Sequence, residues 1–400
     1  MSARIAPFSS NITAKPVASR HLRRAVLWIL AGGFLLRLLI AFGLHEHLRD
    51  ANPPHLWPQT DEVVYFDYGL KAAETLEQKD WPAFIDSTPS MKNYNWMHYR
   101  YTGLLLFLFD GSPLALRLTS SILAIAGILL FVRTFQHALS EQQLLFFSAM
   151  LAWLPSFAFW SALAIKEGVM LFLTAGLCWG IRHFWRKGTL LACLAWMSAV
   201  CLIIGGFRIW TGLGFFCAAV PLILLTHPGR PSLPAALVLT FAIMGSLWFI
   251  PNVHRLICEF VLHQSPDDTS ISNPEFEFTE RSQDLQGWHF PAYLKPFCAW
   301  VLPLPDAFTH STLMKLASVE NLLFLALTVL TIAALWQRHP PLEWIWIAFM
   351  AVLIVTAVVL GSNLGTIYRN KSAALPFLAY FAALGIPKIF RHRAKNRLTE

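Results

Sequence analysis

The chain has 400 residues, 56% of them hydrophobic and 14% charged, with 31 Phe, 16 Trp and a mean hydropathy of +0.51. A soluble chain of this size carries roughly a quarter charged residues, so the composition excludes an ordinary soluble domain. The net charge of +8 comes from basic residues scattered over short loops and tails with no binding module beside them, which excludes nucleic acid as a partner and points to membrane lipids.

Residues 1–24 form a basic tail. Beyond it, apolar blocks of about 17–21 residues recur, the length a helix needs to cross roughly 30 Å of hydrocarbon. The expected fold is therefore all-α: a polytopic membrane protein with about ten transmembrane helices. The predicted spans are 25–45, 114–133, 143–160, 168–185, 189–207, 209–226, 233–251, 320–337, 343–361 and 372–389. Nothing like a signal cleavage site follows the first, so it is expected to be retained. Residues 25–390 read as one transmembrane domain, and 391–400 as a second basic tail.

Charge sets the expected orientation. With the N-terminus inside, the cytoplasmic segments hold 16 of the 31 Lys and Arg, as the positive-inside bias requires. Ten acids fall in a first outer loop at about 46–113, and eight more in a second at about 252–316. Both termini are thus expected in the cytoplasm, and the membrane is expected to be a bacterial inner (plasma) membrane. The first outer loop carries helical patterns at 63–77 and 99–109 that suit helices lying at the membrane surface. Cys258 and Cys298 share the second outer loop, where a disulfide is chemically feasible; Cys178, Cys193, Cys201 and Cys217 lie inside spans as small core residues.

Polar residues at the outer ends of spans are the informative ones, because ionised groups in hydrocarbon are costly and usually face a cavity or a partner. Asp61 and Glu62, with Tyr65 following on the same helix, suit a general base or a ligand pair for a divalent cation such as Mg or Mn; an ordinary helix start explains two acids equally well. Lys166 and Glu167 open the fourth span, either as a phosphate-holding pair or as snorkelling side chains. Arg208 occupies a very short outer turn, where snorkelling also suffices. Arg369 and Lys371 are basic on the side the positive-inside bias disfavours, which an anion such as a lipid phosphate would offset. Arg37, Arg117 and Glu320 are expected to find partners within the bundle. No phosphate-binding Gly-rich motif appears, so no nucleotide site is expected.

The segment TDEVVYFDYGLKAAETLEQKDW (60–81), followed by LFDGSPLALRL (108–118), resembles the GT-C superfamily of integral-membrane glycosyltransferases. Within it, the protein O-mannosyltransferases, the aminoarabinose transferases and bacterial polysaccharide-cluster relatives are the nearest in pattern. WSALAIKEG (160–168) and NLGTIYRNKSAALP (363–376) carry the same likeness at the later outer turns. The resemblance implies an inverting sugar transfer from a polyprenyl-phosphate donor to a glycan, lipid or protein acceptor on the outer face. Asp61 would be the base, Glu62 its neighbour or a metal ligand, and Arg369, Lys371 and Lys166 would stabilise the departing lipid phosphate. Polysaccharide polymerase or ligase activity is the second enzyme reading, and a non-catalytic transporter or flippase of a lipid-linked sugar is the alternative from another class. A transporter predicts charges at mid-membrane depth and matched halves; here the charges cluster at outer ends and no repeat is visible.

Overall fold

The computed structural model describes residues 20–56, 61–86, 96–248, 312–337, 339–359, 369 and 371–397. Among them the chain is all-helical, without strands. In chain order the helices are α1 (Arg20–His47), α2 (Asp61–Glu77), α3 (Trp81–Asp86), α4 (Trp96–Leu108), α5 (Pro113–Phe135), α6 (Glu141–Trp153) and α7 (Pro155–Ala162). They continue with α8 (Glu167–Lys187), α9 (Leu190–Phe207), α10 (Ile209–Thr226), α11 (Leu233–Trp248), α12 (Thr312–Leu335), α13 (Pro341–Val359) and α14 (Leu375–Arg397). Residues 1–19 and 249–311, the latter including Cys258, Cys298 and most of the expected second outer loop, lie outside the described residues.

Helices α1, α5, α9 and α10 are each long and apolar enough to cross a membrane. The pair α6–α7 adds a fifth such segment if its two parts, bent by 50°, make one span. Shorter apolar stretches lie at Leu233–Ile243, Val319–Leu335, Pro341–Thr356 and Leu375–Ile386. A helix thus overlies each predicted span, and four or five of them meet the length and apolarity of a crossing.

Local chemistry explains several boundaries. Ser112 caps α5 ahead of Pro113, and Ser140 forms a reciprocal capping box with Gln143 at the start of α6. Gly188, at φ +67°, ends α8 in the left-handed region that only glycine enters freely. Pro155 splits α6 from α7, since it lacks an N–H and keeps Leu154 extended at φ −62°, ψ 120°.

That break strands backbone groups on both sides, and two buried charges take them. The Arg37 guanidinium of α1 donates to Leu151 O (3.2 Å) and Ala152 O (2.9 Å), at the C-terminus of α6. It also reaches Gly33 O and the Ser161 hydroxyl, each at 2.9 Å. Glu320 of α12 accepts from the Ser156 amide at 2.9 and 3.1 Å and from its hydroxyl at 2.6 Å, at the N-terminus of α7. A cation therefore meets the negative helix end and an anion the positive one.

Among the described residues a main core cluster, in which α5 packs along α8 and α1, α10 lies between α9 and α13, and α14 packs on α12, is joined by two small clusters under α2 and α4. Phe131, Phe135, Phe147, Phe215, Phe349 and Phe377 fill its centre. At one end of the bundle α2 lies across α4. Their backbones approach so closely that a Cβ on Gly69 would stand 2.6 Å from Thr102 Cγ2, and one on Gly103 2.6 Å from Ala72 Cβ. Trp81, Ile85, Phe107, Leu108 and Phe109 on α3 and beside the end of α4 are exposed, an apolar rim of the kind that lies against a membrane surface.

Arg37→Ala would leave the freed carbonyls of α6 buried without donors, and is expected to cost about 3 kcal/mol of stability. Glu320→Gln, which keeps an acceptor, should cost less. Thermal unfolding in detergent micelles measures both; unchanged midpoints would show that these charges do not hold the break.

Candidate functional site

The N-termini of α2, α8 and α10, the C-terminus of α9 and the segment preceding α14 converge at the end of the bundle that carries α2 and α4. The geometry starts from two consecutive acids at the head of α2. Consecutive helical positions point about 100° apart, so Asp61 and Glu62 face different neighbours.

Glu62 turns inward to α5. Its carboxylate accepts from Arg117 Nε at 2.9 Å and Nη2 at 2.7 Å, with both side chains buried. It also accepts from the Ala164 amide at 3.0 Å, and Arg117 Nη2 donates to His55 O at 2.9 Å. This bidentate pair fixes the head of α2 against α5 and against the segment joining α7 to α8.

Asp61, 44% exposed, accepts from Arg369 Nη1. Arg369 Nε lies 3.1 Å from Glu167 Oε1, and the same oxygen accepts from Arg208 Nη2. A continuous chain of alternating charge, Asp61–Arg369–Glu167–Arg208, thus joins four elements distant in sequence. Lys166 is buried beside it, its ammonium 5.5 Å above the Tyr65 ring. His98 of α4 meets Tyr65 edge-on, with ring centroids 4.4 Å apart.

Two helix N-termini point into this cluster. Lys166 and Arg208 are the N-caps of α8 and α10, and neither helix has a side-chain cap. The helical ladders begin only at Met170 N to Lys166 O (2.9 Å) and Gly212 N to Arg208 O (3.0 Å). The first-turn amides therefore lie outside the ladders and add partial positive charge. A Cβ on Gly168 would fall 2.4 Å from Ser120 O, so α8 meets α5 at backbone distance and holds Lys166 and Glu167 firmly.

Glu167 and Arg208 also line a small apolar cleft, open in part to solvent. Phe131, Phe157, Trp160, Met170, Leu171, Leu353 and Pro376 form most of its wall. The arrangement suits an amphiphile: an anionic head at two arginines and two helix ends, and a hydrocarbon chain in the cleft.

The electrostatics follow the same geometry. Burial raises the Asp61 pKa, but the Arg369 charge and hydrogen bond outweigh it, with help from Lys166 and Arg208, so the carboxyl lies below its usual range. Lys166 is held well below the usual lysine value, first by burial and then by Arg208 and Arg369. Burial lowers Arg369, yet Glu167 and Asp61 more than reverse this and keep it firmly charged. His98 is pushed well below its usual value by burial and then by Lys166.

Of the residues singled out in the sequence, the structure brings Asp61, Tyr65, Lys166, Glu167, Arg208 and Arg369 together. Glu62 and Lys371 are not with them. Lys371 turns to α12, donating to Asn321 Oδ1 at 2.5 Å and standing 5.6 Å over the Phe324 ring. Of the expected divalent-cation pair, Glu62 has both oxygens bound by Arg117 while Asp61 accepts from Arg369, and among the described residues no group of three or more His, Cys, Asp or Glu could hold a metal ion. Sequence reasoning passed over His98, a buried histidine with neither ring nitrogen hydrogen-bonded. Its place in the aromatic run WMHYRY was the available signal. Comparison with protein families, curated proteins and solved structures found no match.

Glu62→Ala would leave Arg117 charged and buried without its partner, and is expected to cost about 3–5 kcal/mol. A thermal midpoint in detergent no lower than that of the wild type would contradict a structural role for Glu62. Lys371 offers a test by pH. Burial pushes its pKa down to about 7, partly opposed by Glu320. Above about pH 7 the folded protein has released this proton while the unfolded chain still holds it, up to the ordinary lysine value of about 10.4. Stability should therefore rise with pH across that window, and Lys371→Met should remove that component of the slope of the unfolding midpoint.

Proposed function

We propose that this chain is a polytopic membrane glycosyltransferase with about ten spans that moves a sugar from a polyprenyl-phosphate-linked donor to a cell-envelope acceptor on the outer face. The observation that carries the reading is the chain of Asp61, Arg369, Glu167 and Arg208, built at two uncapped helix N-termini and sharing residues with an apolar cleft. A lipid phosphate is the ligand class with both an anion and a hydrocarbon chain to match. The sequence likeness at 60–81 and 108–118 supports the same reading.

In this scheme Arg208, Arg369 and the N-termini of α8 and α10 hold the phosphate, while the cleft takes the first isoprene units. Asp61 lies at the exposed edge of the cluster, within reach of an acceptor hydroxyl. It takes the hydroxyl proton as the acceptor oxygen bonds to the anomeric carbon from the face opposite the phosphate. The bond from that carbon to the phosphate oxygen breaks, its electron pair stays on the phosphate, and configuration inverts. Charge building on the departing phosphate meets donors that are already in place. Lys166 lies buried next to both arginines.

Asp61→Asn is expected to lower transfer about 100-fold or more while the protein remains folded and inserted. Arg369→Ala should also abolish detectable transfer, by losing the phosphate. Mass spectrometry of envelope glycan and lipid from cells carrying each variant as the sole copy reads both. Unaltered products with both variants present in the membrane would overturn the assignment.

A further inference from the structure

The cluster contains a contradiction for a transferase: its proposed base is tied to its proposed phosphate-binding arginine. Asp61 and Arg369 are paired directly, so neither is free for its task in the resting arrangement. The pair is nevertheless the most accessible link of the chain. Asp61 is 44% exposed, whereas Glu167 on the far side of Arg369 is only 9% exposed.

We propose that Asp61 is a latch on Arg369, opened when the donor phosphate displaces its carboxylate, so that the donor must bind before the acceptor can be deprotonated. This rests on the reading of the site as a lipid-phosphate site. Three observations carry it. First, two arginines (Arg208, Arg369) are matched by two carboxylates, and two uncapped helix N-termini add partial positive charge that no side chain offsets, so an incoming anion is attracted to the cluster.

Second, Glu167 binds both arginines through one oxygen and stays with them, which leaves Asp61 as the exchangeable partner. Glu167 is anchored at the head of α8, which is pressed on α5 at Gly168, whereas the Asp61 side chain is partly open to solvent. Third, Glu62 keeps the head of α2 fixed through Arg117, so Asp61 can swing about its own side-chain bonds without the helix moving. Once a phosphate occupies Arg369, like-charge repulsion turns the Asp61 carboxylate outward, toward the solvent side where an acceptor hydroxyl arrives. The latch also keeps the base neutralised while no sugar donor is present, and the exchange itself makes and breaks only ion pairs and hydrogen bonds.

The consequence runs against the usual expectation for a site residue: removing the catalytic carboxylate should tighten lipid binding. The test is equilibrium binding of decaprenyl phosphate to the full-length protein in detergent micelles, with decaprenol as the phosphate-free control. Asp61→Asn is expected to bind decaprenyl phosphate about three- to tenfold more tightly than wild type, the range for losing a competing ion pair with one exposed partner. Arg369→Ala should bind at least about tenfold more weakly, a tenfold change being 1.4 kcal/mol. In the Arg369→Ala background the Asp61→Asn change should have no further effect, because the latch then has nothing to hold. Equal or weaker binding by Asp61→Asn, with Arg369→Ala still impaired, overturns the latch and leaves the phosphate site standing. Equal binding by wild type and Arg369→Ala, or binding of decaprenol as tight as that of its phosphate, overturns the site itself.

Discussion

The buried pair of Glu62 and Arg117 is the constraint on which the rest of the site depends. A carboxylate and a guanidinium removed from water are tolerable only when they meet each other and further partners, and here four hydrogen bonds do this: two from Arg117 to Glu62, one from the Ala164 amide to Glu62, and one from Arg117 to His55 O. That arrangement has a single geometry. It sets where α2 begins, holds the segment before α8, and turns the adjacent Asp61 toward the arginines. A residue that reads as half of an acidic pair is thus the anchor that makes its neighbour available.

The broken helix serves the same end. Pro155 divides α6 from α7, and the segment after α7 carries Ala164, which bonds to Glu62, and then Lys166 and Glu167 of the charged cluster. A continuous helix through this region would send those residues along a different path. The break needs its exposed backbone groups satisfied, which Arg37 and Glu320 do from opposite sides. Glu320 in turn lies in the field of Lys371, two residues beyond Arg369. Charges that look misplaced in apolar helices therefore form two connected systems, one that holds a bend and one that gathers at the N-termini of α8 and α10.

Like charges gathered at helix N-termini are unfavourable unless something offsets them. In the resting protein Asp61 and Glu167 do so, with Lys166 kept low in proton affinity by burial and by the two arginines. The cluster is internally paired and shares Glu167 and Arg208 with the wall of the apolar cleft, which is the basis of the proposed lipid-phosphate reading.

The sequence by itself determined the helical class and the membrane-compatible character, because long apolar blocks with few charges leave no other way to satisfy the backbone in hydrocarbon. It also marked Asp61, Lys166, Glu167, Arg208 and Arg369, since ionised groups at the ends of apolar helices are conspicuous in one dimension. Only the tertiary structure decided how those charges pair. Asp61 and Arg369 are 308 positions apart, and neither spacing nor periodicity records that separation. The same holds for the different fates of neighbours: Glu62 and Lys371 left the cluster that Asp61 and Arg369 joined, because each further helical residue turns the side chain by about 100°, toward other partners. His98 was invisible for the complementary reason. A histidine among aromatic residues has no distinctive pattern until packing buries it against Tyr65 with its nitrogens unpartnered.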